Sequence, residues 1–347
     1  MDTPTLDGIL LSFERSGHDA DVLSTIRALA GASLKIDNAI RFGPLGPAFA
    51  AGRGTANMDG DAQKELDIYA DETFLQAART APVRCVASEE RSEPTLIDPS
   101  ARIALAIDPL DGSSNIDTNV SIGTIFSLLP AAGVPDMDPA APFLQSGNRQ
   151  LAAGFFVYGP QLALILTLGR GTRGFVFSPR LGTFVQVYES LTIPQRTQEF
   201  AINASNYRHW DEAVRLYVDD CLKGEEGPRG KNFNMRWIAS LVAEAYRILV
   251  RGGVFLYPGD GRAGYVSGRL RLVYEANPIA MIMEQAGGAA TDTVCRILDI
   301  VPTGLHQRVP LVFGSAREVE RVGRYHTEPS TIAERSPLFG NRGLFRA

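Results

Sequence analysis

The run Asp108-Pro109-Leu110-Asp111-Gly112-Ser113-Ser114 sets two carboxylates three residues apart and follows them with three small residues. Carboxylates this close repel one another unless a cation lies between them, and hard oxygen ligands suit magnesium. Consecutive small residues leave backbone N–H groups open to an anion such as a phosphate. Together they supply both halves of a metal–phosphate site. Two aspartates at this spacing also make an ordinary turn; the Gly-Ser-Ser continuation tips the reading toward chemistry.

Further acids recur beside apolar runs. Glu89 and Glu90 follow Val83–Ala87, and Glu275 follows Leu272-Val273-Tyr274. Asp61 and Asp67 flank the start of a helical segment, and Asp67 and Asp71 lie four apart on one of its faces. One exposed acid is normally just solvated, whereas acids repeated at strand ends form a set. Asn203, Tyr207, Arg236, Tyr257 and Arg269 suit phosphates and hydroxyls, although Arg269 and Arg271 also fit the outward face of a strand. His18, His209, His306 and His326 are scattered outside any metal-ligand pattern. There is no Gly-x-Ser-x-Gly nucleophile elbow, and the glycine-rich stretch 43–54 lacks the Lys-Ser/Thr ending of a phosphate loop.

The elements that must carry these residues are legible from periodicity. Val22, Leu23, Ile26, Leu29, Ala30 and Leu34 predict a helix over 20–40, and Leu66, Tyr69, Ala70, Phe74 and Leu75 a second over 62–79. Strands are predicted at 83–88, 102–107, 124–129, 151–158, 161–168, 174–177 and 183–188. The strand over 102–107 is expected to stop at Asp108, because Pro109 cannot continue a paired central strand. Strands in close succession favour an antiparallel sheet. Segment 130–148 reads as a surface excursion. Beyond Leu191 the pattern alternates: helices at 211–222 and 237–251, strands at 253–257 and 270–274, and a helix opened by Asn277-Pro278 and closed by Gly287-Gly288. The expected organisation is an N-terminal α+β domain over 1–190, with a mainly antiparallel sheet and most metal ligands. A C-terminal α/β domain over 191–330 would bind sugar phosphate, and 331–347 forms a tail.

The chain has 347 residues, 45% hydrophobic and 21% charged, with a net charge of −5. It carries no basic tract of the kind nucleic-acid binders show. Cys85, Cys221 and Cys295 form no Cys-x-x-Cys pair, which argues against a zinc ribbon or a disulfide framework. No secretory start and no membrane-length apolar run is visible, so a cytoplasmic protein is expected, without nucleic-acid or membrane partners.

With these residues in view, the chain resembles class I fructose-1,6-bisphosphatases between about Asp61 and Ser315. The resemblance rests on Ala106–Asp117, Val120–Phe126, Leu151–Gly154, Gly252–Pro258, Leu270–Pro278, Asp299–Thr303 and His306–Arg308. Asp-Pro-Leu-Asp-Gly-Ser alone marks the wider lithium-sensitive, inositol monophosphatase-like superfamily; the Asn115-Ile116-Asp117 continuation narrows it. The resemblance implies a sugar phosphatase fold, a layered α-β-α-β-α sandwich of two subdomains in class α/β (α+β). It implies hydrolysis of the 1-phosphate of fructose 1,6-bisphosphate. By the same resemblance, Glu89, Asp108, the Leu110 carbonyl, Asp111 and Glu275 would hold two or more magnesium ions, with Asp61 joining and manganese as an alternative. Asp67 and Glu90 would orient and deprotonate water. Asp111, Gly112, Ser113 and Ser114 would hold the 1-phosphate. Asn203, Tyr207, Trp237, Leu256, Tyr257 and Arg269 would line the 6-phosphate and sugar subsite, and Arg236 would enter from a neighbour in a homotetramer.

Three departures from the family pattern stand out. Trp237 replaces a tyrosine, Arg269 replaces a lysine, and the N-terminal region with Arg102-Ile103 does not reproduce the AMP-binding pattern. The first two leave room for sedoheptulose 1,7-bisphosphate as a substrate; a silent sugar-phosphate-binding regulator is the alternative from another class.

Overall fold

The computed structural model describes residues 4–43, 58–131 and 138–328, with the backbone alone described over 58–64. Helices α1 (Leu6–Arg15), α2 (Ala20–Phe42) and α3 (Met58–Arg79) come first. Asp19 caps α2 by accepting the Asp21 N–H at 2.9 Å, and the predicted stripe from Val22 to Ala30 is its buried face.

Eight strands then form one sheet: β1 (Val83–Ser88), β2 (Thr95–Leu96), β3 (Ile103–Asp111), β4 (Ile122–Pro130), β5 (Ala152–Tyr158), β6 (Leu162–Thr167), β7 (Thr172–Ser178) and β8 (Thr183–Leu191). Their order is β2-β1-β3-β4-β5-β6-β7-β8, antiparallel throughout except for the parallel pair β1–β3. The rest of the chain alternates: β9 (Glu199–Ala201), α4 (Glu212–Leu222), β10 (Asn234–Met235), α5 (Leu241–Arg251), β11 (Val254–Tyr257), β12 (Leu270–Arg271), α6 (Asn277–Gln285), β13 (Ala289–Thr291), β14 (Arg308–Val309), β15 (Leu311–Gly314) and α7 (Ala316–Thr327). A second sheet runs β10-β9-β11-β15-β13, while β12 pairs with β14.

The layers follow from strand alternation. Phe126 and Phe156 point into a core shared with Leu23 and Phe74 of α2 and α3, whereas their neighbours Ile125 and Phe155 point to the opposite face, against Val242 of α5 and Ile282 of α6. Phe313 of the second sheet closes that middle layer. Its other face, through Phe200 and Leu256, packs on Val214 of α4 and Val322 of α7. The result is the expected α-β-α-β-α sandwich. Both faces of the large sheet are covered, so its strands read as nearly continuous apolar runs.

Three local expectations are corrected. Strand β3 does not stop at Asp108; it continues through Pro109 to Asp111. Helix α5 begins at Leu241 rather than Trp237, because Ala239 has φ +62° and Ser240 is the N-cap. The strand expected over 270–274 ends at Arg271, and Leu272–Ala276 forms a π-helical turn that runs into α6. Asn277 therefore lies inside helical backbone instead of capping it. An apolar run buried on every side, as Leu272-Val273-Tyr274 is, does not distinguish strand from helix.

Candidate active site

Residues three apart on a regular strand point to opposite faces. Here β3 pairs Asp108 with Ile125 and Asp111 with Gly123, so three steps on one strand face two on the other. That extra residue is a β-bulge. It accommodates Pro109 and turns both aspartates to one side, where among the described residues Asp108, Asp111 and Glu275 offer carboxylate oxygens within 4.8 Å of one another. Leu110, between them, is buried, and its N–H donates to Asp108 Oδ1 at 3.0 Å.

Asp111 meets the N-terminus of α5: the Val242 N–H donates to its Oδ2 at 3.0 Å, and the Leu241 N–H also reaches it. A carboxylate here satisfies otherwise unpaired donors and sits at the positive end of the helix dipole. The next turn locks this contact. Gly112 takes φ +76°, which favours glycine, and the Asn115 amide donates to the Ala239 carbonyl at 2.7 Å. Residues Ser113–Asn115 form a 3₁₀ turn, so the N–H groups of 112–114 precede its first hydrogen bonds.

Glu275 arrives on the π turn and accepts from the Arg271 backbone N–H. The Arg271 Nε donates to Glu89 Oε1 at 3.0 Å. Glu89 thus stands beside the three carboxylates but faces Arg271. Burial, then repulsion from Glu89, raises the Asp108 and Glu275 carboxyls well above the usual range. Asp111 is also raised by burial, with the α5 N–H donors pulling the other way.

Asp67, on α3, is pushed up to about 7 by burial and by Glu90. The Ser113 side chain reaches its carboxylate, while its Oδ1 is buried without a partner among the described residues. Glu90 is raised by burial, by Glu89 and by Asp71. Asp71, one turn after Asp67, pairs with Arg91 at 2.6 Å. The side chain of Asp61 lies outside the described residues.

A second pocket gathers Asn203, Leu256, Tyr257 and Arg269 with Asn206, Asp260, Arg262 and Tyr265. Two expected lining residues, Tyr207 and Trp237, lie outside this pocket, and Arg236 was expected to enter from a neighbour. The Tyr207 hydroxyl donates to both carboxylate oxygens of Asp219, at 3.0 and 3.1 Å. Trp237 stacks on Phe255 with ring centroids 5.9 Å apart. Arg236 lies 3.5 Å from Glu199, which also pairs with Arg247 and Arg251.

Residues 14–189 match the family model described as Fructose-1-6-bisphosphatase, N-terminal domain, and residues 193–327 match its C-terminal domain. The chain belongs to the fructose-1,6-bisphosphatase family. Over the full length of both chains it is 65% identical to the class 1 fructose-1,6-bisphosphatase of Rhizobium meliloti (strain 1021). It is 56% identical to that of Azorhizobium caulinodans, over 88% of this chain and 93% of the relative. The T-state crystal structure of Leishmania major fructose-1,6-bisphosphatase superposes with a TM-score of 0.84 at 30% identity, covering 94% of this chain and 99% of that one.

Within this fructose-1,6-bisphosphatase family member, sequence reasoning missed Arg271, Asn115, Asn206, Asp260, Arg262 and Tyr265. Arg271 was visible only as one of two alternating arginines. Asp260-Gly261-Arg262 looks like a solvated turn until Asn206, more than fifty residues away, is brought beside it.

Proposed function

We propose that the chain hydrolyses the 1-phosphate of fructose 1,6-bisphosphate, giving fructose 6-phosphate and phosphate. The observation that carries this reading is a carboxylate cluster and a separate cationic pocket joined by one short strand. Arg271, which ends β12, bonds Glu89 at the cluster; Arg269, which precedes β12, lines the pocket. Two residues of extended chain span about 7 Å, a reach suited to the two ends of a small sugar bisphosphate.

The donor set fits a divalent cation. Three buried carboxylates within 4.8 Å are hard oxygen ligands whose mutual repulsion a cation relieves. Asp108, Asp111 and Glu275 would hold it, with Glu89 and the Leu110 carbonyl as further ligands for a second ion and Asp61 for a third; magnesium, with manganese as substitute, suits such oxygens. Such an ion supplies Lewis acidity, making water a better nucleophile and offsetting charge on the phosphoryl oxygens.

The chain's own groups do the rest. Asp67, whose Oδ1 is unpartnered among the described residues, would accept the proton of the attacking water, with Glu90 beside it raising its basicity. The N–H groups of 112–114 hold the phosphoryl group in line. Asn203, Tyr257 and Arg269, along Leu256, hold the far phosphate and the sugar.

Assembly as a homotetramer belongs to the same proposal, with Arg236 reaching a neighbour's pocket. Its side chain is 49% exposed and lies outside the pocket of its own chain, which supports that reading. A division near Leu191 into two subdomains is supported by the gap between the matched family models. A cytoplasmic setting is supported by three free cysteines. Among the described residues no helix is long and apolar enough to cross a membrane.

The test is phosphate release from fructose 1,6-bisphosphate, sedoheptulose 1,7-bisphosphate and inositol monophosphate, each with magnesium and with chelator. Magnesium-dependent release, fastest from the fructose substrate, is expected. Tight bisphosphate binding without release would sink the proposal in favour of a binding protein.

A further inference from the structure

The second pocket contains an arginine, Arg262, to which the resemblance gave no role. Arg262 is held by Asp260, whose two carboxylate oxygens accept from Nε at 3.0 and 3.1 Å and also from Nη2. Nη2 further donates to Asn206 Oδ1 at 3.1 Å. The guanidinium lies over the Tyr265 ring, 4.3 Å from its centroid. Arg269 lies over the same ring at 4.8 Å.

These contacts fix where the guanidinium sits without using it up. Arginine carries five N–H donors. Nε and Nη2 are engaged, whereas Nη1 has no hydrogen-bond partner among the described residues. Arg269 has no carboxylate partner among them either. A positive group left unpaired beside Asn203, Asn206 and Tyr257 is arranged for an anion.

Asp260 sharpens the argument. Its side chain is only 5% exposed and it lines the pocket. An unpaired carboxylate there would repel a phosphate. Arg262 cancels that charge, so the pocket's electrostatics depend on it twice, once through neutralised Asp260 and once through its own free donors. Stacking on Tyr265 adds a shared platform that keeps both planar cations oriented.

We propose that Arg262 is a specificity-determining residue that, together with Arg269 at Tyr265, grips the phosphate remote from the carboxylate cluster. The inference rests on the bisphosphatase reading above. It makes the pocket selective for substrates that carry a second phosphate over those that end in a hydroxyl. The guanidinium is matched to this task because its fork serves Asp260 on one edge and the ligand on another; a lysine ammonium serves one or the other.

The experiment compares Arg262→Ala and Arg262→Lys with the unaltered protein on fructose 1,6-bisphosphate and on fructose 1-phosphate, which differ only in the remote phosphate. In Arg262→Ala, kcat/KM for the bisphosphate falls about 100-fold, mostly through KM, and the bisphosphate-to-monophosphate ratio falls at least tenfold. Arg262→Lys, which keeps the charge but loses the fork, falls between. A merely structural role depresses both substrates alike and leaves the ratio unmoved, and that result, or no change for either substrate in Arg262→Lys and Arg262→Ala, overturns the inference. Absence of bisphosphate hydrolysis by the unaltered protein would instead overturn the underlying functional reading.

Discussion

Arg271 donates from Nε to Glu89 Oε1 at 3.0 Å while its own backbone N–H donates to Glu275. One residue therefore ties the loop after β1 to the π turn before α6, and supplies positive charge at the edge of a buried acidic cluster. Arg271→Met removes that counter-charge. The metal-free protein is expected to lose about 1.5–3 kcal/mol, the worth of a charged hydrogen bond. Because the cluster is then more repulsive, magnesium should raise the melting temperature by more in the variant than in the unaltered protein. Thermal melts with and without the ion check both signs.

Asp108→Asn tests the cluster from the opposite side. Asp108 is buried among Glu89, Asp111 and Glu275, and its carboxyl is raised by burial and by those neighbours. An asparagine keeps an oxygen for the Leu110 N–H and drops the charge. Metal-free Asp108→Asn should be more stable than the unaltered protein at neutral pH, by about 1–3 kcal/mol. Its magnesium-dependent phosphate release should fall at least about 100-fold. Near-normal turnover would exclude Asp108 as a ligand.

The raised carboxyls also set a pH signature. Asp67 titrates near 7, and Asp108, Asp111, Glu90 and Glu275 are all shifted upward. Between about pH 4, where unfolded carboxyls ionise, and the raised folded values, the native state binds more protons than the unfolded one. Stability from these groups therefore falls as pH rises through that window. The metal-free melting temperature should drop from pH 5 toward pH 8, and magnesium should flatten the slope. Ion binding at pH 7 should release protons, visible as a buffer-dependent heat in calorimetry, with less release at pH 9.

Gly123 faces Asp111 across β3–β4, and a Cβ there would lie 2.2 Å from the Phe156 carbonyl oxygen and 2.5 Å from Val242 Cγ2. No side-chain rotation relieves a clash with backbone. Gly123→Ala should cost at least about 2 kcal/mol in denaturant unfolding. It should also push α5 away from Asp111, so that activity falls even where the protein remains folded. A variant with full stability and activity would show that α5 has more freedom than this packing allows.

Much of this was readable along the chain because it is local chemistry. The helix over 20–40, the strand series from 83 to 188 and the acidic run at 108–114 follow from apolar spacing and residue type, which depend on near neighbours. The side of the sheet on which Asp111 emerges does not. Its spacing from Asp108 places the two on opposite faces of a regular strand, and only pairing with β4 creates the bulge that reverses this. The same limit hid the π turn. Leu272–Tyr274 is apolar in either conformation, and packing between layers selects the helical one.

The sequence by itself determined the family, the metal-suited carboxylates and the order of elements, since these are written in residue identity and short-range period. The tertiary structure decided which charges face each other. Arg269 and Arg271 are alternate residues of one segment, yet one pairs with Glu89 and the other stands over Tyr265 in a different pocket. Likewise Arg262 became a candidate contact only once Asp260 and Asn206 were seen to hold it. The deciding bonds, Arg271 to Glu89 and Arg262 to Asn206, join residues 182 and 56 positions apart, and local sequence carries no term for that distance.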